Sequence, residues 1–136
     1  MNANAPVPTD RAAFDRAIAE VRVDHLTLRH LAELVSKEPS ADTALSLIDA
    51  MLDHEGAEAQ LFPLPFLTRP PEAVLASGAR ARQACTDYRE ANFRLPTRGA
   101  AAAAQVADLL LEHLAAEDAW LDWEADQRHR RVLNSI

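Results

Sequence analysis

Residues 49–62 read DAMLDHEGAEAQLF, and residues 108–121 read DLLLEHLAAEDAWL. Laid over one another, they share Asp at the first place, Leu at the fourth, His at the sixth, Ala at the ninth and Glu at the tenth. Each stretch thus carries His-x-x-x-Glu: His54 with Glu58, and His113 with Glu117. A spacing of four places both side chains on one face of a helix, a turn apart. The surrounding apolar residues keep the same period. Ala44, Leu47, Met51, His54, Glu58 and Leu61 form one stripe, and Val106, Leu110, His113, Glu117 and Trp120 form another. Both stretches therefore read as helices, each with a polar pair set into its buried face.

Working outward, two more helices frame these. One is expected from about Asp10 to Lys37, with Thr9 or Asp10 at its cap and a stripe of Phe14, Ile18, Val21, His25, Leu28 and Val35. The segment EPSAD closes it, and Ser40 is placed to cap the next helix, about Ala41 to Phe62. FPLPFLTRPP breaks that helix, because proline cannot continue a helix interior. Pro70 or Pro71 suits the first turn of a third helix, expected to reach about Leu95 before Pro96 stops it. Its inner face reads Val74, Gly78, Ala81, Cys85, Tyr88 and Leu95, with Gly78 weakening its first turns. The last helix starts near Gly99 and reaches at least Trp123, followed by the basic stretch DQRHRRVLNSI. Short connections between four helices predict an all-α, up-down-up-down four-helix bundle over residues 10–128, with a flexible arm at 1–9 and a tail at 129–136.

Composition agrees. Hydrophobic residues make up 49% of the chain and aromatics 5%, with three glycines in 136 residues, as expected of an alanine- and leucine-rich helical domain. The net charge of −7 argues against nucleic acid or an anionic membrane as partner. Cys85 is the single cysteine, so the chain forms no internal disulfide and suits a reducing, cytoplasmic compartment. No stretch is long and apolar enough to span a bilayer.

His25, His54, Glu58, His113 and Glu117 all occupy stripe positions near the middle of long helices. A buried carboxylate without a partner costs several kcal/mol, and two in one core need a shared reason. A multivalent cation supplies it, since imidazole and carboxylate are ligands that iron, manganese and zinc accept. Against this, in so acidic a chain roughly one histidine in six has an acid four residues on, so the paired spacing alone is weak. Agreement in depth across three helices is what favours a metal site over exposed ion pairs or a structural polar layer. His30 lies about 140° around the helix from His25 and His129 in the basic tail, so neither is expected to ligate. Glu55 and Asp118 neighbour stripe residues, with Asp118 a rival to Glu117 if the helix is rotated slightly.

These residues resemble the hemerythrin-like, or HHE cation-binding, family: a His on helix 1, His-x-x-x-Glu on helix 2 followed by Leu-Phe-Pro, and His-x-x-x-Glu on helix 4. The resemblance covers about residues 10–124. It implies a non-haem di-iron centre inside a four-helix bundle, with Glu58 and Glu117 as bridging carboxylates and His25, His54 and His113 as terminal ligands. Such a centre would bind, sense or detoxify dioxygen, peroxide or nitric oxide. The chain departs from the family pattern on helix 3, which has no histidine. Because 59 residues separate His54 from His113, the counterpart of His25 is expected near Ala84, with Cys85 and Tyr88 beside it as possible replacements. Other readings are a mononuclear zinc or manganese site on His25, His54 and Glu58, or a metal-poor bundle acting as an interaction module.

Overall fold

The structure, a computed structural model, describes residues 11–61, 70–94 and 99–134. The expected arm, the Thr9 or Asp10 cap and most of the proline-rich break lie outside them. Among the described residues the chain is all helical: α1 spans Arg11–Lys37, α2 Ala41–Leu61, α3 Glu72–Arg94 and α4 Gly99–Asn134. They pack as a four-helix bundle in which α4 touches each of the other three.

The helix starts follow local chemistry. Ser40 and Thr43 cap α2 reciprocally: the Thr43 amide donates to Ser40 Oγ at 3.1 Å and the Ser40 amide to Thr43 Oγ1 at 3.2 Å. Both satisfy amides that the first turn leaves without a helical partner. Pro71 precedes α3, and its carbonyl accepts from the Val74 and Leu75 amides at 3.0 and 3.1 Å. At the other end of the chain, α4 continues through the basic stretch to Asn134 without a break at residue 128.

The core is divided. The larger apolar cluster gathers Leu28, Ala32 and Val35 of α1 with Leu47, Ile48 and Met51 of α2, Ala81, Cys85 and Tyr88 of α3, and Val106, Leu110 and Leu114 of α4. A smaller cluster holds Ile18 and Val21, Val74, Trp120 and Leu121. Buried polar residues lie beside these clusters: His25 on α1, His54 and Glu58 on α2, Ser77 on α3, and His113, Glu117 and, farther along, Glu124 on α4. On α1, α3 and α4, His25, Ser77 and the His113–Glu117 pair have members of the larger cluster on one side in sequence and of the smaller on the other, so a polar layer lies between the two.

Among the described residues, no helix is long and apolar enough to cross a membrane.

Candidate metal centre

All five residues expected to ligate are buried, His25 completely and Glu117 to within 1%. One ligand atom from each of His25, His54, Glu58 and Glu117 falls within 4.8 Å of the other three. His25 Nε2 stands 3.2 Å from His54 Nε2, 3.6 Å from Glu117 Oε1 and 3.9 Å from Glu58 Oε1. His54 Nε2 stands 3.7 Å from Glu117 Oε1 and in direct contact with Glu58 Oε1. Neighbouring ligands around a tetrahedral ion with bonds of about 2.1 Å are about 3.4 Å apart, which is the scale of this cluster. His113 joins through its pair: its Nε2 lies 2.9 Å from Glu117 Oε1. Glu117 Oε1 is therefore the hub, with three imidazoles around it.

The far side of each ring explains its orientation. His25 Nδ1 donates to Asp118 Oδ1 at 2.6 Å, and Asp118 Oδ2 is gripped by Arg29. His54 Nδ1 donates more weakly to Asp24 Oδ2 at 3.4 Å. Ser77 Oγ gives its proton to the Val74 carbonyl at 3.1 Å, so it accepts from His113 Nδ1 at 2.9 Å. These partners assign the Nδ1–H tautomer to each neutral ring. All three Nε2 lone pairs then turn inward, onto two carboxylates. Oε1 of Glu58 and Oε1 of Glu117 are both buried and accept no well-directed hydrogen bond among the described residues. Lone pairs converging on lone pairs in a dry interior repel, and a cation at their centre satisfies all of them. A ring nitrogen facing inward with the other held by an acid is the usual setting of a metal-bound histidine.

Without a cation, protons take its part. Burial alone would lower the His25 pKa, but Glu117, Glu58 and Asp118 outweigh it and raise it to about 9. His54 is likewise raised, against burial, to about 10 by Glu117 and Glu58. Burial would raise the Glu117 pKa, yet the three imidazoles hold it far below the ordinary carboxylate range. At 3.2 Å only one N–H fits between the two facing Nε2 atoms, so full protonation crowds the pair and a metal relieves it.

The other candidates stand elsewhere. Asp118 is not a rival to Glu117; it braces His25 from behind. Glu55 turns outward to Arg82 at 3.3 Å. Cys85 packs in the larger apolar cluster with its thiol 3.6 Å from Met51 Sδ. Burial chiefly, with Glu55 adding, pushes that thiol up to about 11, which disfavours the thiolate that would ligate. Tyr88 is also in the larger cluster, its hydroxyl buried without a hydrogen-bond partner among the described residues and its pKa raised by burial. Ten residues past Gly78, it lies about 15 Å farther along α3. Ala84 is buried in the same apolar cluster. The α3 residue that meets His113 is Ser77, nearly two turns earlier, and the sequence reading did not single it out. His30 is exposed, and the His129 side chain lies outside the described residues.

On the α2–α3 side, a cleft of about 240 Å³ opens over Glu58 and His113, lined also by Glu55, Val74, Gly78 and Arg82. It brings open space to the edge of the layer. No family model, curated protein or solved structure matches this chain.

Proposed function

We propose that this chain is a non-haem metal protein whose centre is held by His25, His54, Glu58, His113 and Glu117, with iron as the resident metal. The carrying observation is the inward convergence of three imidazole Nε2 atoms on two buried carboxylates, Glu117 Oε1 being 2.9, 3.6 and 3.7 Å from His113, His25 and His54. Imidazole and carboxylate together suit both ferrous and ferric iron. The residue pattern resembles the hemerythrin-like family, which favours an up-down-up-down bundle with a carboxylate-bridged di-iron centre. When bound, iron in such a setting supplies an open position for dioxygen, peroxide or nitric oxide, and binding, sensing or detoxifying these is the role we assign. The chain's own part is to orient three rings through Asp118, Asp24 and Ser77, to exclude water with the two apolar clusters, and to leave the cleft beside Glu58 open.

The compactness of the four-atom group on His25, His54, Glu58 and Glu117 favours a second reading, a single ion with His113 supporting Glu117. Elemental analysis of aerobically purified protein, with its visible spectrum, separates the two: near two irons per chain and an oxo-bridge band for the first, one metal and no such band for the second. His54→Ala and His113→Ala should each lower metal content sharply, while His30→Ala leaves it unchanged. Metal content indifferent to His54 and His113, or a parent protein that takes up no metal, sinks the proposal and leaves a helical bundle with a structural polar layer.

A further inference from the structure

Two glycines sit inside helices near the layer, and their surroundings differ. A Cβ built on Gly56 of α2 would meet nothing within 4 Å among the described residues. A Cβ built on Gly78 of α3 would meet the His113 ring, with Cε1 at 3.0 Å, Nδ1 at 3.4 Å and Nε2 at 3.5 Å. The ring cannot simply step back. Its Nδ1 is held by Ser77 Oγ at 2.9 Å and its Nε2 faces Glu117 Oε1 at 2.9 Å, so moving away from α3 lengthens the first contact and disturbs the second. The edge of the ring occupies the space that a side chain at position 78 would take.

We propose that Gly78 is a positioning residue for the centre: its missing side chain, with the Ser77 hydroxyl beside it, forms a socket that fixes the His113 imidazole and aims its Nε2 at the metal. Helix α3 then takes part without supplying a ligand. It contributes a notch and one hydrogen-bond acceptor. The position also accounts for a glycine inside a helix, where alanine would favour the helical state. The socket rests on the metal reading only for its purpose; the ring placement itself is a property of the metal-free chain.

The test compares Gly78→Ala with Gly56→Ala, the same chemical change on two helices of the same layer. In metal-free protein, ¹⁵N NMR of the imidazoles should show the His113 signals shifted in Gly78→Ala and unmoved in Gly56→Ala, with both variants fully helical by circular dichroism. Titrated with cobalt(II), whose visible bands report its ligands, Gly78→Ala should bind about 10- to 100-fold more weakly, the range found when a group supporting a ligand is lost. Gly56→Ala should bind as the parent does. His113 signals unchanged in Gly78→Ala overturn the socket whether or not metal binds. If those signals shift but neither the parent nor Gly56→Ala takes up cobalt, the socket stands and the metal reading falls. If the parent binds and Gly78→Ala binds equally well, the positioning role is overturned. Should Gly78→Ala lose helicity, Ser77→Ala probes the socket from its other wall, and unchanged His113 signals there overturn the proposal equally.

Discussion

The two His-x-x-x-Glu pairs have the same spacing but unequal duties. Glu117 lies at the centre of the layer, with His25, His54 and His113 all around one of its oxygens. Glu58 touches His54 and approaches His25, and it also lines the open cleft. The rings differ too. His113 is braced by a neutral hydroxyl inside the bundle, and His54 by Asp24, a carboxylate nearly half exposed. A repeated motif therefore sets which side chains share a helix face, while the neighbouring helices decide what each copy does.

The largest expected effect tests that inequality. Glu117→Gln should remove most bound metal, to less than about a tenth of the parent content, and destabilise the metal-free protein by about 3 kcal/mol or more, because it strips the shared counter-charge from buried imidazoles. Glu58→Gln should cost clearly less on both measures. Equal losses in denaturant unfolding and elemental analysis would erase the distinction.

Next come the braces. Asp118→Asn should weaken metal binding about 10- to 100-fold, since an acid orienting a ligand ring matters on that scale. Asp24→Asn should weaken it less, its contact being 3.4 Å rather than 2.6 Å and more exposed. Chelator competition measures both, and the reverse order would refute the assignment of Asp118 as the stronger support.

The pH dependence separates protons from metal. His25 and His54 have raised pKa values in the folded state, about 9 and about 10. The inner proton that the pair holds contributes stability that is complete below the ordinary imidazole value and is lost as pH rises towards 9 to 10. Glu117 is depressed, so its contribution is present above the ordinary carboxylate value and is lost as pH falls towards its lowered one. Melting of the metal-free protein should therefore fall between pH 7 and pH 10. The metal-bound form should resist that fall, because the metal has displaced the protons. Parallel melting curves for the two forms across this range would contradict proton–metal exchange at the layer.

The smallest effect belongs to Tyr88. Tyr88→Phe should leave metal content and the visible spectrum unchanged and shift stability by no more than about 1 kcal/mol, towards greater stability, since it removes a buried hydroxyl that has no partner. A phenolate-to-metal band in the parent that disappears in this variant would place Tyr88 at the metal after all.

These contrasts mark where the chain was legible. The four helices could be read from their apolar stripes, and the depth of His25, His54, Glu58, His113 and Glu117 because the stripes of α1, α2 and α4 stay apolar until a chemically expensive residue interrupts them. Ser40, the Pro70–Pro71 pair and the stretch from Gly99 marked helix starts by local rules that need no tertiary structure. The contribution of α3 was not readable in the same way. Ser77 does for His113 what Asp24 does for His54, yet the 59-residue repeat maps Asp24 onto Gln83. A repeat in sequence records spacing along the chain and carries no information about how far one helix slides along another. Asp118 was ambiguous for a related reason: adjacent residues on a helix differ by about 100°, and a small rotation decides whether an acid faces the interior or the back of a ring. Gly78 looked like a weakness of α3 from propensity alone, because the ring that occupies its empty side belongs to a helix 35 residues away in the chain.

The placing of the polar layer between two apolar clusters has a consequence for cooperativity. Each cluster joins side chains from at least three helices, so each can hold its own end of the bundle together. The layer is then the joint through which one end of the bundle learns that the other is folded. An ion at that joint would couple the two ends into a single folding unit. In its absence the two ends would be joined more loosely, and one could open in excursions that leave the other intact.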